Sequence, residues 1–561
     1  MNAPKTVVEL FQRSVEKYPD HVAVAFMGTK LTYKELDKAS DDFARFLACI
    51  GVMEGDRVSF VLGNCPQFVI AYLGVLKRKA VVAAVNPLVK TEEVMATVNQ
   101  ANPVFVITLE NFSEHNRALH EKFKSNMLIV SIGDFLPRPI NWLYWLKTRK
   151  EKFFRPKGVF DWKLMGVLTD IHGLGLVKAA GELLGQLRND LDQTKAPADL
   201  AVLQTTGGTT GIPKLAMLTN QNIVANCLQA LAHVNKETVI VYENTVFLGV
   251  IPFFHVYGLS VCLNLAFAAG SSVVILPKFV SKDVLKAIRK NKADVFPAIT
   301  RMYAALVDFA EKNPGDYRAM CQSLKVCVSG AGALDLTVKA KWEKLTGKEI
   351  IEGYGLSEAS PIVSVNPIGG AKTGSMGTLV PDTEIRLDNE STDALAEWGG
   401  AGELLVRGPQ VMLGYWQNEA ETRAAINADG WLSTGDVVRV DEKGFLWFVD
   451  RKKDMVKING ENVYPKSVED VIRIHPAVAD VAVFGLPDSK SGERLVACVV
   501  LKNQVASLKD LEEMIHAQCR ANNLSGIKIP KQVEIVEEIP KTIVGKVLKR
   551  VLKEKLINKN Q

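Results

Sequence analysis

The chain has 561 residues, 47 % of them hydrophobic and 23 % charged. That is too long for one ordinary domain and too apolar for a disordered chain, and a chain this size can fold without disulfides or structural metals. Lys and Arg number 68 against 62 Asp and Glu, a formal charge of +6; an excess this small suits anionic small ligands and lacks the dense basic stripe of a nucleic-acid binder. The eight cysteines (49, 65, 227, 262, 321, 327, 498 and 519) are scattered singly. With no CxxC pair and no metal-ligand spacing they point to a reducing, cytoplasmic setting. The opening MNAPKTVVELFQRSVEKYPD places charges where a secretion leader needs an apolar core, so no leader is expected.

In chain order, VVELFQRSVEKYP is helix-periodic and DRVSFVLG strand-like; PQFVIAYLGVLKRKA is helical, VVAAVNP a strand, and ANPVFVITL a further strand after another helix. The rhythm resumes after residue 270 with VVILP, SKDVLKAIRKNKA, DVFPAI, TRMYAALVDFAEK and LKVCVSGAG. Repeated βαβ units of this kind predict an α/β fold with doubly wound parallel sheets. From about Ser375 to Val449, short strands and Gly turns predict a small antiparallel or barrel-like unit. After the run Asp450–Asp454 comes an α+β piece, with Pro465 opening one helix and Ser507-x-x-Asp510 capping another. The expected division is a large N-terminal domain, 1–451, and a small mobile C-terminal domain, 452–561. The latter holds nineteen basic and fourteen acidic residues, so it carries +5 of the net +6.

Two stretches call for a choice. Between Val246 and Leu276 nothing is charged apart from His255, a length that could span a bilayer. Pro252, Asn264 and the Gly270–Ser272 turn interrupt it, and it reads instead as a buried strand–helix–strand. The segment 140–157, INWLYWLKTRKEKFFRPK, has six basic residues, one acid (Glu151), and Trp142, Tyr144 and Trp145 ahead of the cluster. It reads equally as an anionic-membrane contact or as a solvated connector.

The sharpest local signal is TTGGTTGIPK, Thr205 to Lys214: hydroxyls, three glycines and a closing lysine that could surround phosphate oxygens. It is no Walker A loop, because Lys214 is followed by the strand-like LAML. This loop is followed in order by PFFHVYG (252–258), EGYGLSE (352–358), GELLVRGPQVMLGYW (402–416), DGWLSTGD (429–436), FVDRKKDMVKINGENVYP (448–465) and PKTIVGK (540–546). The set resembles the adenylate-forming superfamily, and the run Asp429 to Lys453 is similar to that of bacterial long-chain fatty acid–CoA ligases.

That resemblance implies a two-step reaction: a carboxylate attacks the α-phosphate of ATP to give acyl-adenylate and pyrophosphate, then coenzyme A displaces AMP. Positioning and charge neutralisation are its main demands. It implies phosphate contacts from Thr206, Gly207, Gly208, Thr209, Thr210, Gly211 and Lys214, with Thr209 and Glu358 holding Mg²⁺. Adenine would lie against Tyr354 in the turn Glu352, Gly353, Tyr354, Gly355, with Ser357 nearby and Gly330, Ala331 and Gly332 closing the pocket. Asp436 would accept the ribose hydroxyls and Arg451 would donate to them. Lys546 would bridge carboxylate and α-phosphate in the first step; Lys453 would be the hinge for domain rotation, and Lys457 and Gly460 would face coenzyme A in the second. His255 would stand near the activated carboxyl. Thr205, Leu215, Asn220 and Ser357 depart from the usual family residues without removing a phosphate donor.

The expected ligands are therefore a fatty acid, ATP, Mg²⁺ and coenzyme A, with no nucleic acid. The reading leaves open a homodimer and a peripheral location on the inner face of the membrane. Medium-chain or aryl acids, transfer to a carrier protein, and a membrane-associated fatty-acid uptake role are the competing readings.

Overall fold

The computed structural model describes residues 3–124, 126–150, 153–154, 160–161, 196–206, 213–235, 241–388, 400–459, 461–502, 508–522, 524–541 and 547–559. Two compact units emerge, one built mainly from residues 1–371 with 379–383 and 407–430, the other from 372–378, 384–406 and 431–561.

The first unit is doubly wound α/β. One sheet has the strand order Gly414–Tyr415, Lys214–Thr219, Leu200–Thr206, Val81–Ala84, Arg57–Val61, Phe105–Leu109, Met127–Val130, Phe160–Asp161. From Leu200–Thr206 onward the pairings are parallel, as the βαβ rhythm predicts. In the other sheet the parallel series Ile350–Gly355, Val326–Ser329, Val295–Ala298, Val246–Gly249, Ser272–Ile275 ends on Val22–Phe26, so that Val24 faces Val273 across the sequence. These strands are apolar on both faces because helices cover both.

Two helices begin at start signals the sequence supplies. Thr32 and Glu35 form a reciprocal capping box at Tyr33–Cys49, and Pro66 opens the largely buried helix Pro66–Lys77. Those two helices pack closely at Gly74, where a Cβ would lie 2.8 Å from the Phe43 ring and 3.0 Å from the Ser40 carbonyl oxygen. A core of Phe296, Tyr303 and Trp342 fills one face of the second sheet, with Tyr303 edge-on to both other rings.

The uncharged stretch is the strand–helix–strand expected of a core: Val246–Gly249 and Ser272–Ile275 pair in parallel around a helical middle. That middle differs from a plain α-helix. Gly258–Asn264 is a π-helix, every residue of it buried, and only Leu265–Ala269 is α. Only glycine fits at 258, since a Cβ there would stand 2.2 Å from the Pro252 carbonyl oxygen. Among the described residues no helix is long and apolar enough to cross a membrane.

In the second unit, Ala401–Arg407, Leu432–Val440 and Leu446–Arg451 form an antiparallel sheet with Glu384–Asp388. A further sheet contains the long hairpin Val478–Asp488 and Gly492–Leu501, joined in parallel by Gln532–Ile535. The helix Pro465–Arg473 packs Val468 and Ile472 onto it, with proline at its first turn as expected. Ser507 of the second expected cap lies outside the described residues; its helix, Leu508–Ala521, is present.

Candidate active site

Strand Leu200–Thr206 runs into the Gly/Thr loop and strand Lys214–Thr219 leaves it, the two pairing antiparallel with Thr206 opposite Lys214. Lys214 is thus fixed at the start of the second of two antiparallel strands. Gly207, Gly208, Thr209, Thr210 and Gly211 lie outside the described residues. Thr206 is buried at the end of its strand, and the Thr205 hydroxyl donates to the Ala84 carbonyl at 2.7 Å.

Three distant motifs meet at Tyr415. Its strand pairs Tyr415 with Ala216, two residues after Lys214. The Lys214 ammonium sits 4.8 Å from the Tyr415 ring centroid and pairs with Glu421 on the helix Glu419–Ala425. The Tyr415 hydroxyl donates to Glu358 Oε1 at 2.9 Å. Burial first, then the Glu358 charge, pushes the Tyr415 phenol far above its usual value, so it remains a donor to the carboxylate. The Glu358 carbonyl is held too, accepting from the Met412 amide at 2.8 Å. Lysine, phenol and carboxylate form one assembly with both charges partly open to solvent.

The PFFHVYG segment is tied to the same strand. Gln204, next to Thr205, donates to the Phe254 carbonyl at 2.9 Å. Asn64, itself buried, accepts from the Phe253 amide at 2.8 Å and donates to the Ile251 carbonyl at 2.9 Å. His255 Nδ1 accepts from the Tyr257 amide at 3.2 Å, which leaves the proton on Nε2. Surrounding protein lowers its pKa to about 4, although part of the ring surface reaches solvent. The ring is neutral at ordinary pH.

On the second sheet, Ser329 to Gly332 follows strand Val326–Ser329. Tyr257 packs on Gly330, where a Cβ would come within 3.1 Å of its ring. Ala331 takes a left-handed φ of 65° and a Cβ on Gly332 would meet nothing within 4 Å, so the loop edge is open to an incoming group. Glu352, Gly353, Tyr354 and Gly355 end the strand Ile350–Gly355, and Ser357 and Glu358 form a short 3₁₀ turn. Gly355 is sterically required: a Cβ there would lie 2.0 Å from the Pro361 carbonyl oxygen.

In the second unit, Asp436 and Arg451 are directly opposed on paired strands, with Arg451 Nε 3.2 Å from Asp436 Oδ1. Asp436 is buried, and its amide donates to the Thr434 hydroxyl oxygen at 3.2 Å. Lys452 donates to buried Glu403 at 2.7 Å, while Lys453 is exposed beside it in the turn Lys452–Asp454. Lys457 is exposed on the strand Val456–Ile458, its amide bonded to Glu493 at 2.8 Å. Gly460 and Lys546 lie outside the described residues; Lys541 and Val547, on either side of the latter's segment, form an antiparallel bridge.

The donor set fits a magnesium nucleotide. Among the described residues no group of three or more His, Cys, Asp or Glu is placed to cage a metal. A single carboxylate such as Glu358 suits Mg²⁺, which keeps water and phosphate oxygens as its other ligands. Tyr415, Glu421, Gln204 and Asn64 were not anticipated from sequence. The GYW motif contained Tyr415, but nothing in its spacing reveals the partner 57 residues away.

Residues 11–416 match the family model of the AMP-binding enzymes and residues 467–546 that of the AMP-binding enzyme C-terminal domain. The chain belongs to the AMP-binding enzyme family, and it is an AMP-forming ligase driven by ATP. It is 39 % identical over 558 residues to a long-chain-fatty-acid–CoA ligase of Bacillus subtilis (98 % of this chain, 94 % of that one). It is 34 % identical over 565 residues to one of Escherichia coli O157:H7, with the same coverage of each. An ATP-bound chimera of RpMatB and BxBclM superposes with a TM-score of 0.80 at 25 % identity, covering 99 % of this chain and 100 % of that one.

Proposed function

We propose that the protein activates long-chain fatty acids, forming acyl-adenylate with release of pyrophosphate and then the coenzyme A thioester with release of AMP. The Lys214–Tyr415–Glu358 assembly carries the adenylation half of this reading. It places a cation and a carboxylate together where the Gly/Thr segment ends, the groups needed to neutralise a polyphosphate and to hold Mg²⁺. Bound Mg²⁺ would draw charge from the phosphate oxygens as pyrophosphate departs. Lys214 and the loop donors Thr206 to Gly211 position the phosphates. Gly330 to Gly332 and Glu352 to Ser357 receive the base, and Asp436 with Arg451 the ribose. Lys546 supplies the cation for carboxylate attack. Lys453 is assigned as the hinge, and Lys457 and Gly460 as the coenzyme A side, within the working division 1–451 and 452–561.

The preference for a long chain is supported by relatives of 32 to 39 % identity bearing that activity in their names and by the apolar segments around neutral His255, which offer an acyl chain no charge to desolvate. The test is release of pyrophosphate and AMP with ATP and acids from acetate to oleate, with and without coenzyme A. Oleate turnover dependent on coenzyme A is expected. Adenylation of short or aryl acids only would overturn the chain-length assignment. Adenylation indifferent to coenzyme A would move the acceptor to a carrier protein.

A further inference from the structure

The helix Ile140–Lys150 contributes nothing to the chemistry above, yet its residues are arranged for a purpose. One side is fastened to the body. The Tyr144 hydroxyl donates to buried Glu110 at 3.1 Å, the Tyr144 ring lies so close to Gly133 that a Cβ there would be 2.8 Å away, and Thr148 is buried. The remaining side presents large apolar residues to solvent: Trp142 is 57 % exposed, Leu143 56 %, Trp145 49 %, with Ile140 and Leu146 beside them. Single exposed apolar residues mean little, but five on one helix of 11 residues form a patch.

We propose that this helix is a docking surface for an anionic lipid bilayer. Charge selects that occupant. From Arg138 to Lys150 the sequence holds Arg138, Lys147, Arg149 and Lys150 and no Asp or Glu. Arg138 and Lys147 are exposed at the two ends of the apolar face. Exposed tryptophans with flanking cations match the headgroup level of an anionic membrane. A second copy of the chain is the poorer match, because an isologous contact through this helix would set its cations against themselves. At about 1.5 Å per residue the helix reaches roughly half the hydrocarbon thickness, so it lies in the interface and does not cross. The proposal is independent of which acid the enzyme activates.

The test is flotation of the whole protein with vesicles of equal parts phosphatidylglycerol and phosphatidylcholine, and with phosphatidylcholine alone. Binding to the anionic vesicles only, weakened by salt, is expected. Trp142→Ser with Leu143→Ser should reduce partition by about tenfold or more. Arg138→Gln with Lys147→Gln should reduce it about fivefold per charge. Melting temperature and pyrophosphate release with a short soluble acid should stay unchanged in both variants. The charge pair, being fully on the surface, still decides the matter if the apolar pair impairs folding. Absence of wild-type binding, equal binding to both vesicle types, or variants that bind like wild type would overturn the proposal. So would a dimer, seen by sedimentation velocity, that the apolar pair abolishes.

Discussion

Tyr415→Phe removes one oxygen and leaves the ring that Lys214 packs on. What disappears is the 2.9 Å hydrogen bond to Glu358 Oε1. A hydrogen bond to a charged group contributes about 1.5–3 kcal/mol, and because Glu358 is partly exposed solvent screening reduces that to about 1–2 kcal/mol. If Glu358 holds Mg²⁺, the loss falls on adenylation, which should slow about 5- to 30-fold at limiting Mg²⁺. Thioester formation from supplied acyl-adenylate, which needs no metal-bound pyrophosphate, should change less than about twofold. Pyrophosphate release as a function of Mg²⁺, beside single-turnover thioester formation, separates the two steps. An adenylation rate within twofold of wild type, or an equal loss in both steps, would refute the assignment of Tyr415 as the residue positioning Glu358.

Glu421→Gln releases Lys214 from its partner; the pair is partly exposed, so an effect of about 0.2–1 kcal/mol is expected, read as a KM for ATP lowered up to about fivefold. Gly355→Ala drives a Cβ into the Pro361 carbonyl and should cost about 3 kcal/mol in denaturant unfolding with a loss of nucleotide binding; a wild-type unfolding midpoint would contradict the close approach. Burial lowers the His255 pKa to about 4, below its unfolded value near 6.5. The unfolded chain therefore binds the extra proton between those values, so His255 lends its full stability above pH 6.5 and loses it as pH falls towards 4. That contribution is about 3 kcal/mol, to be seen as a flatter acid limb of the stability curve in His255→Asn. Lys546→Ala should abolish pyrophosphate release yet keep thioester formation from supplied acyl-adenylate; equal loss in both would withdraw its assignment to the first step.

The parallel sheets were legible because their strands are apolar on both faces and alternate with helix-periodic segments such as Pro66–Lys77. The strand after Lys214 was legible as well, from LAML, but its antiparallel pairing with Leu200–Thr206 was not. The π-helix Gly258–Asn264 was not. An apolar run carries no mark of whether its ladder spans four residues or five, and the close approach of Gly258 to Pro252 exists only once the chain has turned. In the candidate site the charged residues of each motif could be picked out one by one. The groups that hold them could not, because Glu421 reaches Lys214 across 207 residues and Gln204 reaches Phe254 across 50. Such contacts are set by topology and leave no local pattern.

The pairing of Val24 with Val273 carries a consequence for how the chain is made. Strand Val22–Phe26 leaves the ribosome early, but its partner Ser272–Ile275 follows only after some 250 further residues, and the helix Val7–Lys17 waits as long for Phe267, whose carbonyl accepts from Ser14 at 2.6 Å. Contacts of such long sequence separation form late and slowly. Until then Val22–Phe26, paired only with its neighbour Thr29–Thr32, offers one open apolar edge that other nascent chains can meet. Deleting residues 3–32 would leave Ser272–Ile275 as a permanent sheet edge, and the expected product is an aggregate recovered in the pellet, even though every residue assigned to catalysis is still present.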